Sequence, residues 1–180
     1  MYQNITNELL RNGLAHLTAI CARPGDGRVT FAIHIANDLC RQRKRVYFYS
    51  DPPSTVFATE RLSHHVQILT ALPSPATDIP PHAIVIIDHL SAATRTISPC
   101  QNNDAKAALL QDFKNLAVEK NVQLVVTDTF RRADEPDDKL PISNAAITLC
   151  DHVYILSKKA YWSTEPEDPY AGVPMLRPIK

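Results

Sequence analysis

The stretch Ala22-Arg23-Pro24-Gly25-Asp26-Gly27-Arg28-Val29-Thr30 holds the residue types and spacing most suggestive of chemistry. It follows an apolar run, Leu17 to Cys21, and opens a helix-patterned run, Phe31 to Ala36. Strand, glycine turn and helix start are the context in which a phosphate-binding loop is believable. Backbone N–H groups and the helix N-terminus cradle phosphate oxygens there. A Lys then reaches the β/γ-phosphates, and a Ser or Thr hydroxyl holds Mg²⁺. In this chain Arg28 stands at the Lys position, Val29 at the hydroxyl position and Ala22 at the first glycine.

The nucleotide-binding candidates are therefore Arg23, Gly25, Gly27, Arg28, Val29 and Thr30. ATP or ADP is the cofactor class they suggest, with Mg²⁺ held weakly. Arg28 keeps the charge of a Lys, but its planar fork is larger and is not a compact point charge. Val29 has no oxygen for a metal, and Thr30, one residue on along a helix, is rotated by about 100°. Asp26 would set a negative charge near incoming phosphates, or else pair with Arg28 and close the loop; the second reading is preferred. Asp88 ends the apolar run Ile84-Val85-Ile86-Ile87. It is either a carboxylate placed to meet Mg²⁺ through water or a strand-end residue that caps the next turn.

Charge excludes a general nucleic-acid field, because 19 Lys and Arg balance 19 Asp and Glu. The run Arg41-Gln42-Arg43-Lys44-Arg45 is a local exception. Cations at a helix C-terminus complement its dipole, and that reading is preferred over phosphate contacts by Arg41, Arg43, Lys44 and Arg45. Arg131 and Arg132 are interleaved with four acids in the segment 131–141, which makes phosphate tracking there a weak expectation. His64-His65, His89 and His152 read as turn or structural histidines. Cys21, Cys40, Cys100 and Cys150 form no CxxC pair, so neither zinc nor a disulfide framework is expected. No apolar run approaches the ~20 residues of a membrane span, and a cytoplasmic protein is the default expectation.

The elements that must position these residues alternate in type. Strands are expected at 17–22, 46–50, 66–69, 84–88, 122–127 and 152–156. Helices are expected at about 28–42, 54–63 and 104–119, with an entry helix or turn over 3–14. Helix 28–42 repeats Val29, Ala32, Ile33, Ala36, Leu39 and Cys40 at helical spacing. For helix 104–119 the expected N-cap is Asp104, and the apolar face is Ala105, Ala108, Leu109, Leu116 and Ala117. The proline-rich segment 72–81 and the charged segment 131–141 read as loops, and 163–180 as a proline-broken tail. Alternating strands and helices imply an α/β domain with a mainly parallel sheet covered on both faces. The chain of 180 residues fits one such domain.

In order along the chain, these features resemble the C-terminal RecA-like ATPase domain of DnaB-type replicative helicases. The loop is similar to that family's A/G-R-P-x-x-G-K-T. Lys44-Arg45-Val46 through Ser50 resembles its second strand. Ile86-Ile87-Asp88-His89-Leu90 resembles its Walker B strand, I-D-Y-L. Leu116-Ala117 through Val126, and Cys150-Asp151-His152-Val153, resemble its later strand entries. The resemblance implies a three-layer RecA-like P-loop NTPase fold over about residues 10–160.

The departures from that family fall on its chemistry. The Glu that activates water after the second strand is matched only by Asp51, one position short. The family's glutamine after the fourth strand is matched by Thr129, and its late K-x-R-N-G finger motif would fall at about Lys180. An arginine finger contributes roughly 10³–10⁵ in rate and one electrostatic stabiliser roughly 10²–10³. Little or no hydrolysis is expected. The resemblance implies a helicase-like domain that has lost most of its ATPase machinery and works as a binding or regulatory module in replication or a mobile element. Its partner would be a RecA-like or helicase subunit, or a second copy of the chain. The alternative is an NTPase completed by groups from a partner. A weaker third reading is a nucleic-acid adaptor using the basic run.

Overall fold

A computed structural model describes residues 7, 9, 14–51, 62–97, 103–130, 144–158 and 174–179. The apolar runs become strands: β1 (Leu17–Ala22), β2 (Val46–Ser50), β3 (Gln67–Leu69), β4 (Ile84–Asp88), β5 (Gln123–Thr129) and β6 (His152–Lys158). With β7 (Pro174–Pro178) they form a sheet in the order β3-β2-β4-β5-β1-β6-β7. All neighbours are parallel except β6 and β7. Strands β1, β2 and β4 are buried at every position, as central strands covered on both faces must be.

Alternation along each strand sends side chains to two separate cores. On one face Ile20, Phe48, Ile84, Ile86 and Val125 pack against Phe31, Ile35 and Leu39 of helix α1 (Arg28–Arg41). On the other, Cys21, Tyr49, Val85, Ile87, Leu124 and Val126 meet helices α2 (Leu90–Ile97) and α3 (Asn103–Lys120). The short helix α4 (Asn144–Leu149) adds Ile147 and Leu149 to the second core. The result is three layers, helix on sheet on helix.

Some expectations shift in detail. In α1 the deepest residues are Phe31 and Ile35, while Val29 and Cys40 are only half-buried. In α3 the buried face is Lys106, Leu109, Leu110, Phe113, Leu116 and Ala117, and Ala108 is exposed. Asp104 lies in the first turn of α3 rather than at its cap. Helices α2 and α4 have no counterpart among the expected elements. α2 is rich in Ser and Thr, which are weak helix formers, and tertiary contacts of Leu90 and Ala93 hold it. The segment 163–180 is not simply a broken tail, because β7 forms inside it. Its prolines sit at the first and last positions of the strand, where a missing N–H costs least. The expected helix 54–63 and loop 131–141, with Arg131 and Arg132, lie almost wholly outside the described residues.

The end of α1 explains the basic run. Arg43 is left-handed, with φ 61. The Lys44 N–H donates to Leu39 O at 3.0 Å and the Arg43 N–H to Cys40 O at 2.9 Å. This pair of bonds is a Schellman cap. α3 ends in the same way: Asn121 has φ 52, with Val122 N–H to Ala117 O and Asn121 N–H to Val118 O.

Candidate functional site

The glycine loop joins the C-terminal end of β1 to the N-terminus of α1. It sits at the strand-end edge of the sheet, beside the point where the chain turns back to run in the other direction across the strands. Ligands bind at such crevices in α/β sheets. Gly25 and Gly27 both take positive φ, 89 and 81, a region costly for any side chain with a Cβ. Gly27 caps α1 with no side chain of its own bonded there, and the Asp26 N–H closes the turn on Arg23 O at 3.1 Å. A Cβ built on Gly25 would meet nothing within 4 Å. Arg23 lies over the Phe130 ring, 5.1 Å from its centroid, and Phe130 N–H donates to Ala22 O. The loop therefore keeps the backbone shape of a phosphate cradle.

Its side-chain chemistry points inward. Arg28 Nη1 ion-pairs with Asp88 Oδ1 and donates to Thr127 Oγ1 at 3.0 Å. The Thr127 hydroxyl in turn donates to Asp88 Oδ1 at 2.6 Å. Register places Asp88 beside Thr127 on adjacent strands, and both continue the face that packs on α1. The Asp88 side chain is 2% exposed and that of Arg28 17%. The preferred sequence expectation, Asp26 as the partner of Arg28, is corrected: the partners the structure gives Arg28 are Asp88 and Thr127. The reason is reach, since a guanidinium at the first turn of α1 spans to the neighbouring strand ends.

Asp51 does not join this group. It follows β2, and the residue it influences is Tyr49, whose hydroxyl is held up in pKa by burial, with the Asp51 charge adding to that. Val29 is half-buried against the α1 core and Thr30 is exposed. Neither Val29 nor Thr30 is among the residues that contact Asp88. A divalent ion does not fit this donor set: the one buried carboxylate is already matched by a cation, and the hydroxyl position is a valine. Among the described residues, no three His, Cys, Asp or Glu side chains converge as a metal site. The basic run lies at the far end of α1, with the Arg41 side chain 2.6 Å from Asp38, away from the loop. Among the described residues no helix is long and apolar enough to cross a membrane.

A second polar cluster, missed in the sequence, occupies the other face at the same edge. Asp128, on β5, projects between α2 and α3. Its Oδ2 accepts from Lys106 Nζ at 2.7 Å, and its Oδ1 from Ser91 Oγ at 2.7 Å and Thr129 N–H at 3.0 Å. His89 Nε2 lies 2.9 Å from Oδ1, close enough for an ion pair but not aligned as a hydrogen bond. Burial pushes the Asp128 carboxyl up, but His89 and Lys106 outweigh it and hold the group below the usual carboxylate range. Burial, with Asp128 adding, pushes the nearby Cys21 thiol far up, so that cysteine is inert. One signal could have found this cluster: Lys106 falls on the apolar stripe of α3 at the spacing of Leu109, Leu110 and Phe113.

No family model and no curated protein matches the chain by sequence. Among solved structures it is similar to the ATPase domain of a DnaB-like helicase, with a TM-score of 0.61 and 15% identity. That match covers 85% of this chain and 73% of the other. The fold is thus a RecA-like one.

Proposed function

We propose that this chain is a DnaB-helicase-like RecA-fold protein that has lost most of its ATPase machinery. It acts as a binding or regulatory module, in DNA replication or a mobile element, and its partner is another RecA-like subunit or a second copy. One observation carries the reading: the loop arginine is committed to Asp88 and Thr127. In a working site that carboxylate serves Mg²⁺ and the loop cation serves the phosphates. Here each neutralises the other. The half-buried Val29, and an Asp51 whose charge acts on Tyr49, support the same conclusion. Calorimetry with ATP and ADP, in Mg²⁺ and in chelator, together with an ATPase assay, tests it. The expected result is no turnover above the buffer rate and an affinity indifferent to Mg²⁺. Mg²⁺-dependent turnover of about 1 s⁻¹, within the usual range of enzymes, would defeat the reading.

The retained cradle favours a second reading, an NTPase completed by a partner. Gly25 and Gly27 keep left-handed backbones and the helix N-terminus is capped by no side chain. That arrangement suits a phosphate. It predicts nucleotide stabilisation of about 2.7 kcal/mol at a hundredfold excess over Kd, lost in Arg28→Ala. Hydrolysis would then appear only when the partner is added.

A further inference from the structure

The edge of the sheet away from the glycine loop carries a polar cleft of about 520 Å³, within the roughly 300–1,000 Å³ range of small-molecule sites. Five segments meet there, each leading into a strand, and they contribute His16, Lys44, His82, Asn121, Gln123 and Asp151 to the walls. The charges in it do not cancel. Both Asp151 oxygens are engaged, Oδ2 by the Leu17 N–H at 2.9 Å and Oδ1 by Lys114. Lys44 has no ion-pair partner among the described residues.

The backbone round this cleft is unusual. All three non-glycine residues with positive φ among the described residues, Arg43, His82 and Asn121, lie on or beside its rim. Helix caps account for two of them. His82 is different: it holds φ 62 at the third position of a turn closed by Ala83 N–H to Pro80 O, a position that favours glycine. Its N–H donates to Asn121 O at 2.7 Å, and its Nδ1 lies 3.4 Å from Asn121 Nδ2. An amide donating to Nδ1 leaves the ring proton on Nε2, a donor. His16 has the opposite tautomer, since its Nδ1 lies 3.4 Å from Val122 O. Its Nε2 is therefore an acceptor in the neutral ring.

We propose that this cleft binds a small phosphorylated molecule. Lys44 supplies the charge, His82 Nε2 a donor, and His16 Nε2 an acceptor for a phosphate hydroxyl. A monoprotonated phosphate has both donor and acceptor oxygens, so it satisfies this mixed set. A nucleic-acid backbone fits less well: Asp151 stands in one wall, and Arg41, next along the basic run, is held by Asp38. The inference is independent of what the glycine loop binds.

NMR of the imidazole Hε1 signals tests it, with inorganic phosphate as the probe and a short oligothymidylate in parallel. The expected result is saturable movement of the His16 and His82 signals with phosphate. Lys44→Ala should weaken it by roughly tenfold or more, the loss of one charge-assisted contact. His82→Gly should weaken it while leaving the fold intact, because glycine suits that backbone better than histidine does. Two results overturn the proposal: no saturable movement, or movement that survives both substitutions. Signals that respond to the oligonucleotide and not to phosphate reassign the cleft to nucleic acid and overturn it as well.

Discussion

Asp88 and Asp128 end adjacent strands with their carboxylates on opposite faces of the sheet, and each meets one lysine or arginine of its own. Arg28 reaches Asp88 from α1, and Lys106 reaches Asp128 from α3. Both carboxylates are 2% exposed. Ionised groups this deep persist only when paired and hydrogen-bonded.

Arg28→Ala leaves Asp88 buried with Thr127 alone. The expected loss is about 3 kcal/mol, the low end for breaking a buried pair, because the Thr127 hydroxyl still donates. Urea denaturation should show it. A double-mutant cycle with Asp88→Ala should return much of the loss, since the uncompensated charge goes too. Losses that simply add would mean the pair is not coupled.

Arg28→Lys combined with Val29→Thr puts back the residue types of a working loop. A lysine ammonium is compact and cannot present the guanidinium fork, so Asp88 is freed for a metal. The expected outcome is ATP binding that tightens when Mg²⁺ is added, in the variant and not in the parent, by calorimetry.

Lys106→Met raises the question of pH. In the native protein Asp128 titrates below its unfolded value of about 3.8. Its contribution to stability is therefore complete above about pH 4 and is lost as pH falls through the folded value. Removing Lys106 lifts the folded value towards or past the unfolded one. The variant should be less stable at neutral pH, by about 3 kcal/mol, and the gap to the parent should narrow below about pH 4. Denaturation curves at several pH values check the sign.

Arg43→Gly should stabilise the fold. A left-handed residue with a Cβ costs roughly 1–2 kcal/mol, and glycine returns roughly 0.5–1 of that through its greater chain entropy. A net gain of about 0.5–1 kcal/mol is expected in the midpoint of urea unfolding. Gly27→Ala runs the other way, losing about 1 kcal/mol and weakening any nucleotide binding.

Much of the architecture is legible in the residues. β1, β2 and β4 are continuous apolar runs bounded by turn residues, so their ends can be placed without tertiary information. α2 is hidden because Ser91, Thr94 and Thr96 have little helical preference of their own; packing and the Ser91 contact with Asp128 hold it in place. The glycine loop is legible as a shape, yet the direction of Arg28 is not. A side chain's partner 60 residues away in sequence depends on which strands become neighbours, and β4 and β1 are separated by β5. Asp128 and Lys106 escape for the same reason, though Asp128 falls near the end of an apolar strand much as Asp88 does.

The tie between Arg28 and Asp88 also fixes a concentration. A free divalent ion reaches a carboxylate at whatever level the surroundings supply, and leaves when that level falls. A guanidinium on the same chain is present at an effective molarity set by tether length alone. Depletion of metal, or a change in its supply, therefore leaves the electrostatics of this sheet edge as they were.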